Sequence, residues 1–210
     1  MMNPIEAAIA LAVRAHTGQM DEDGFPHIVH CMEVFHRVQV VFEEHEFRGY
    51  PATKYTQEEI LIASILHDTV EDSPITLDQI EEEFGKNVRD IVDSVSRRVE
   101  SDGSKEFYRD FIYRAKENAG GLIIKYADLT HNYSRSVKIK KASWRNKLQY
   151  KYGIALTVLN DTSNPTWEQA SYSVQTEGGV KHYRIADPNG KEIEITEEEF
   201  NALVKKKTDA

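Results

Sequence analysis

The stretch ILHDTVEDSP, residues 65 to 74, sets two pairs of polar residues, His67 with Asp68 and Glu71 with Asp72, directly behind the apolar run ASIL. A capping pair, Thr56 and Glu59, opens this segment as a helix, and Pro74 marks its exit. A helix whose body is apolar has to sit in a core, so its polar end must lie at the core's edge. At a spacing of four, His67 pairs with Glu71 and Asp68 with Asp72, one turn apart on a continuous helix. An imidazole beside a carboxylate suits a divalent cation such as Mn²⁺ or Fe²⁺, but two ligands make no firm site. Further donors have to come from His16, His27, His30 or His36, or from Asp128 or His131. The plainer alternative is a solvated helix end.

The rest of the chain surrounds that helix with others. Asn3, Pro4 and Glu6 start a first helix, which Gly18 ends, and a second runs through Met32, Val34, Phe35, Val38 and Phe42. Thr76 with Gln79 caps another, Gly85 terminates it, and NVRDIVDSVSRR and SKEFYRDFIYRAKENA follow as helices. GGLIIKYADLTHNYS repeats the plan of an apolar helix that turns polar, here at Asp128 and Asn132, before a long closing helix, SWRNKLQYKYGIALTVL. From about residue 171 the period falls to two. YSVQT, VKHYRIAD and KEIEIT, separated by EGG and PNG, predict an antiparallel β meander, and EEEFNALVKKK a terminal helix. The expected fold is mostly α: a helical bundle over 1–165, then a small β appendage over 166–210 whose edge offers pairing to a partner or a second copy.

Composition narrows the function. A net charge of −9 argues against coating a nucleic-acid backbone, and no apolar run reaches the roughly 18 residues a membrane span needs. With one cysteine, Cys31, and no signal-peptide pattern, the reading is a cytoplasmic protein.

HIVH at 27 to 30, ILHDTVED at 65 to 72 and IIKYADLTHN at 123 to 132 resemble the signatures of the HD-domain phosphohydrolases, in the RelA/SpoT-type branch that hydrolyses (p)ppGpp. AHTGQ, GFPHIVH and ITLDQIEEEFGKNVRDIVDSVSR extend the resemblance over roughly residues 5 to 158. It implies an HD-domain helical bundle. It also implies His30, His67, Asp68 and Asp128 as metal ligands, usually for Mn²⁺, and Glu71 and Asp72 as the acidic pair that works on water and leaving group. Asn132 matches a substrate-contacting asparagine, and Arg98, Lys147 and Tyr152 are candidates for holding an anionic nucleotide, as are Arg97, Lys105 and Arg109. The implied reaction removes pyrophosphate from the 3′ position of a guanosine tetra- or pentaphosphate.

The loop before His30 departs from that pattern. Asp21, Glu22 and Asp23 stand where the family carries an arginine or lysine pair, and His27 replaces a tyrosine. Three carboxylates supply no cation to stack on a purine. Two other readings therefore stay open: an HD-type phosphatase acting on a nucleoside monophosphate or dinucleotide cofactor, and a nucleotide-sensing module without turnover. Of the remaining histidines, His16 reads as a packed, hydrogen-bonded residue, and His131 as a support for the site. Cys31 reads as a small packed side chain.

Overall fold

The computed structural model describes residues 2–21, 24–44 and 54–160, together with the backbone of 171–177, 180–186 and 192–195. Nine helices are placed among these residues: α1 (Pro4–Ala15), α2 (Ile28–Glu44), α3 (Gln57–Leu66), α4 (Thr69–Asp72), α5 (Leu77–Phe84), α6 (Lys86–Val95), α7 (Tyr108–Glu117), α8 (Ala119–Ser136) and α9 (Ala142–Asn160). By contacts the chain divides into residues 1–132 and 133–210. That division falls inside α8, not at the change of periodicity.

In the first unit α3 is the central element. Every residue from Ile60 to Leu66 is buried, and the helix packs against α1, α2 and α6. A helix apolar on all sides is stable only when neighbours cover all of it. Burying each large aliphatic side chain, such as Ile60, Ile65 or Leu66, contributes roughly 1.5–3 kcal/mol. Capping boxes open three helices as the spacing predicts, at Asn3 with Glu6, Thr56 with Glu59 and Thr76 with Gln79. Gly85, at φ 86°, closes α5 in a conformation that favours glycine. The approach of α8 to α6 needs glycine for another reason. A Cβ on Gly121 would lie 2.1 Å from Ser94 Oγ, and one on Gly120 2.8 Å from Ile91.

Two expectations are corrected. The helix predicted to run unbroken through ILHDTVED stops at Leu66, and α4 restarts at Thr69. The polar side chains cause the break. Thr69 Oγ1 donates to the Leu66 carbonyl (2.7 Å), His67 Nδ1 bonds the Ser64 carbonyl (2.8 Å), and Asp68 sits at φ −97°, ψ −7°. Side chains that bond back in this way compete with the helical ladder.

The second correction concerns fold class, which had counted a β meander and a terminal helix into the architecture. Through residue 160 the described protein is helical, and its β pairing is limited to two isolated bridges, Met20 with Pro26 and Val99 with Lys105. The strands β1 (Ser171–Glu177), β2 (Val180–Ala186) and β3 (Glu192–Ile195) pair antiparallel in the order β1-β2-β3, with Ser171 opposite Ala186 and Tyr183 opposite Ile195. Period-two patterning specifies such local pairing. The terminal helix expected over EEEFNALVKKK lies outside the described residues.

Candidate metal centre

Three parts of the first unit converge on one imidazole. His30 stands on the first turn of α2, 5% exposed, with its backbone N–H bonded to the His27 carbonyl (2.9 Å). His67 and Asp68 form the α3–α4 junction, and Asp128 comes from α8. His30 Nε2 lies 3.2 Å from His67 Nε2, 3.4 Å from an Asp68 oxygen and 3.4 Å from an Asp128 oxygen. His67 Nε2 lies 3.2 Å from the same Asp68 oxygen. The four residues named from sequence are therefore together.

These residues fit a divalent cation. His67 Nδ1 can only donate to the Ser64 carbonyl, so its Nε2 lone pair faces the cluster. The result is a His30, His67 and Asp68 donor set within 4.8 Å of one another, with an Asp128 oxygen 3.4 Å from His30 Nε2, a mixed N and O set suited to Mn²⁺- or Fe²⁺-class ions. Without a cation a proton must hold the group together. Burial opposes charge on His30, but its bonds to Asp128 and Asp68 outweigh that and push its pKa up to about 10. Asp68 is half-buried among imidazoles, and His67 is the leading influence holding its carboxyl well below the usual range.

Asp128 is set differently. Lys125, one turn earlier on α8 and almost fully buried, donates to its Oδ2 (2.8 Å) and leads the interactions that lower its pKa against the cost of burial. The Lys125 ammonium also lies 4.5 Å from the centre of the Phe111 ring. Asn132, expected to touch substrate, donates its amide N–H to Asp128 Oδ1.

Glu71 and Asp72 lie on α4. Glu71 accepts from the Arg97 backbone N–H (3.1 Å) and from Lys105 Nζ (3.1 Å), both on the loop that follows α6. Arg114 anchors that loop through Glu106 (2.6 Å) and the Ser96 carbonyl (2.8 Å). Burial, then the negative charges of Asp68 and Glu71, raise the Asp72 pKa.

Two other basic candidates are paired with carboxylates. Arg98 pairs with Asp93 (2.8 Å) and Arg109 with Asp110 (3.1 Å). Lys147 and Tyr152 lie on α9, in the second unit.

Two supporting residues, His27 and Lys125, have no such part in the sequence reading, and a third, His131, has a partner that reading does not name. His27 places Nε2 3.0 Å from Asp68 Oδ2. His131 Nδ1 lies 2.8 Å from His30 Nδ1, the two rings stacked at 5.0 Å, which is the supporting part read for it but with an unforeseen partner. Lys125 carried a local signal, its i,i+3 spacing from Asp128. The contacts of His27 and His131 span 41 and 101 residues, and no local pattern announces them.

Residues 8–118 match the family model described as the HD domain, which covers more than half of the chain and includes His30 and the His67–Asp68 pair. The chain belongs to the HD-domain family. Among curated proteins the chain is 33% identical over 128 residues to a guanosine-3′,5′-bis(diphosphate) 3′-pyrophosphohydrolase of Haemophilus influenzae, a match covering 58% of this chain and 17% of the relative. It is 31% identical over 134 residues to the bifunctional (p)ppGpp synthase/hydrolase SpoT of Escherichia coli, covering 61% of this chain and 17% of that one. The chain thus spans about one sixth of the length of these relatives. Among solved structures it resembles one described as a metazoan ortholog of SpoT that hydrolyzes ppGpp. The TM-score is 0.61 and the identity 21%, over 78% of this chain and 90% of the other. That likeness establishes the shared fold. No described helix is long and apolar enough to cross a membrane.

Proposed function

We propose that the chain is a metal-dependent phosphohydrolase that removes pyrophosphate from the 3′ position of (p)ppGpp or a closely related nucleotide. The single observation that carries this reading is the convergence of His67, Asp68 and Asp128 on His30 Nε2 within 3.4 Å, in a chain several of whose matched relatives carry that activity in their names. His30, His67, Asp68 and Asp128 would hold the cation, with Mn²⁺ favoured by the donor set. When bound, such a cation supplies Lewis acidity toward a phosphate oxygen and makes water a competent nucleophile near neutral pH.

The chain's own residues do the rest. Glu71, fixed by Arg97 and Lys105, orients the attacking water and takes its proton. Asp72, the second carboxyl of the pair, assists the departing 3′ oxygen as its bond to phosphorus breaks, passing on a proton such as the one Glu71 takes from water. Lys125 and Asn132 keep Asp128 in place, and His131 supports His30. The buried, unpaired Cys31 agrees with action in a reducing compartment such as the cytoplasm.

A second reading, an HD phosphatase for another nucleotide, is favoured by one observation: the acidic run Asp21, Glu22 and Asp23 in the loop leading to His30. One experiment separates the two. Protein loaded with Mn²⁺ is given ppGpp, nucleoside monophosphates and a dinucleotide cofactor, and released pyrophosphate and orthophosphate are measured. Pyrophosphate from ppGpp supports the first reading and orthophosphate from another nucleotide the second. Failure to turn over any member of the panel argues against both.

A further inference from the structure

Next to the four convergent ligands a second set of donors gathers. His16, the C-cap of α1, His27, in the loop before α2, and Cys31, in the first turn of α2, each bring a donor atom within 4.8 Å of the other two. His16 is 3% exposed and Cys31 fully buried. The proton on His16 can be placed from its surroundings. Gln19 donates its amide N–H to the Asp72 carbonyl (2.6 Å), which turns Gln19 Oε1 toward His16 Nδ1 (2.8 Å). A carbonyl oxygen only accepts, so Nδ1 carries the hydrogen. The other nitrogen, Nε2, then bears a lone pair, is buried and has no hydrogen-bond partner. A buried polar atom without a partner calls for an explanation, and an absent ion is one.

We propose that His16, His27 and Cys31 form a second cation site, selective for a borderline-soft divalent ion of the zinc class. Two imidazoles and a thiolate are a soft donor set, in contrast to the two imidazoles and two carboxylates around His30, so the two sites would sort ions by softness. Three protein ligands leave one position open. Zinc–nitrogen bonds of about 2.0 Å and zinc–sulfur bonds of about 2.3 Å place tetrahedral donors roughly 3.5 Å apart. The three side chains would therefore close in by about 1 Å. The Cys31 thiol gives up its proton on binding, as any thiol ligand does. None of the three residues belongs to the His30, His67, Asp68 and Asp128 set, so the inference stands apart from the phosphohydrolase reading. The two sets meet where His27 Nε2 lies 3.0 Å from Asp68.

The test uses Co²⁺, whose bond to a thiolate gives a near-ultraviolet charge-transfer band. Cys31 is the chain's one cysteine, so any such band reports on this site alone. The full chain, stripped of metal and titrated with Co²⁺, should take up two equivalents and develop the band. His67→Ala should lose one equivalent and keep the band, whereas Cys31→Ser should lose the band and bind one equivalent. If Cys31→Ser does not fold, His16→Gln makes the same test, with the band lost or weakened several-fold and uptake falling to one equivalent. A wild-type chain that binds one equivalent with no band overturns this site while leaving the His30 centre intact. Two equivalents without a band, or a band unchanged in His16→Gln, overturn it equally.

Discussion

Two apolar helices deliver polar side chains to the same imidazole by opposite means. At the α3–α4 junction the helix breaks, and the break turns His67 and Asp68 inward together. In α8 the helix runs on without interruption through Asp128, whose charge is balanced by Lys125 one turn earlier. The first solution relies on surrounding imidazoles to neutralise Asp68, the second on a buried ammonium that belongs to the helix itself. A junction can carry two ligands but gives up backbone hydrogen bonds. A continuous helix keeps them but has to bury a compensating charge, because an unpaired carboxylate in a core is strongly unfavourable.

Breaking the junction should have the largest effect. Asp68→Ala removes a ligand that touches both imidazoles, so metal content by elemental analysis and turnover should disappear together. A variant that retains metal and activity would contradict the ligand assignment. Glu71→Gln leaves all four ligands in place, and turnover should fall about 10²- to 10⁴-fold, the range for a lost general base, with metal content unchanged. Full activity in this variant would remove Glu71 from the proposed chemistry.

Disturbing the α8 solution should appear first in stability. Lys125→Met leaves Asp128 without its buried ammonium, and the metal-free protein should lose about 3 kcal/mol in urea unfolding. Saturation with Mn²⁺ should restore part of that loss, since a ligand that binds only the folded state stabilises it. No loss would show that Asp128 is held by its other partners.

The smallest effect is a dependence on pH confined to metal-free protein. His30 rises from an ordinary 6.5 to about 10 on folding, so its contribution to stability is complete below 6.5 and lost as pH climbs toward 10. Asp68 and Asp128 are shifted down, so their contribution is present above about 4 and lost as pH falls. The melting temperature in chelator should therefore be highest between about 4 and 6.5 and decline by several degrees on the alkaline side. With Mn²⁺ bound, His30 has no proton to lose and the alkaline decline should vanish. An alkaline decline of the same size with and without metal would refute the shared-proton picture.

The capping boxes at Asn3, Thr56 and Thr76 were legible because a cap is made by residues three apart, and the buried body of α3 because its apolar run is continuous. His67 and Asp68 were legible for the same local reason, lying next to that run. The break between them was not. It comes from Thr69 and His67 bonding carbonyls of the preceding turn, a competition that spacing alone leaves undecided.

By itself, then, the sequence determined a helical HD-domain body and placed His67, Asp68, Glu71 and Asp72 at the end of its central apolar helix, because each depends on neighbours within a few residues. The tertiary structure alone decided that His131 backs His30, that His27 meets Asp68, and that the nearby His16 keeps a buried nitrogen without a partner. Those facts depend on which helix faces come together. Packing settles that, and residues far apart in the chain meet only when it does.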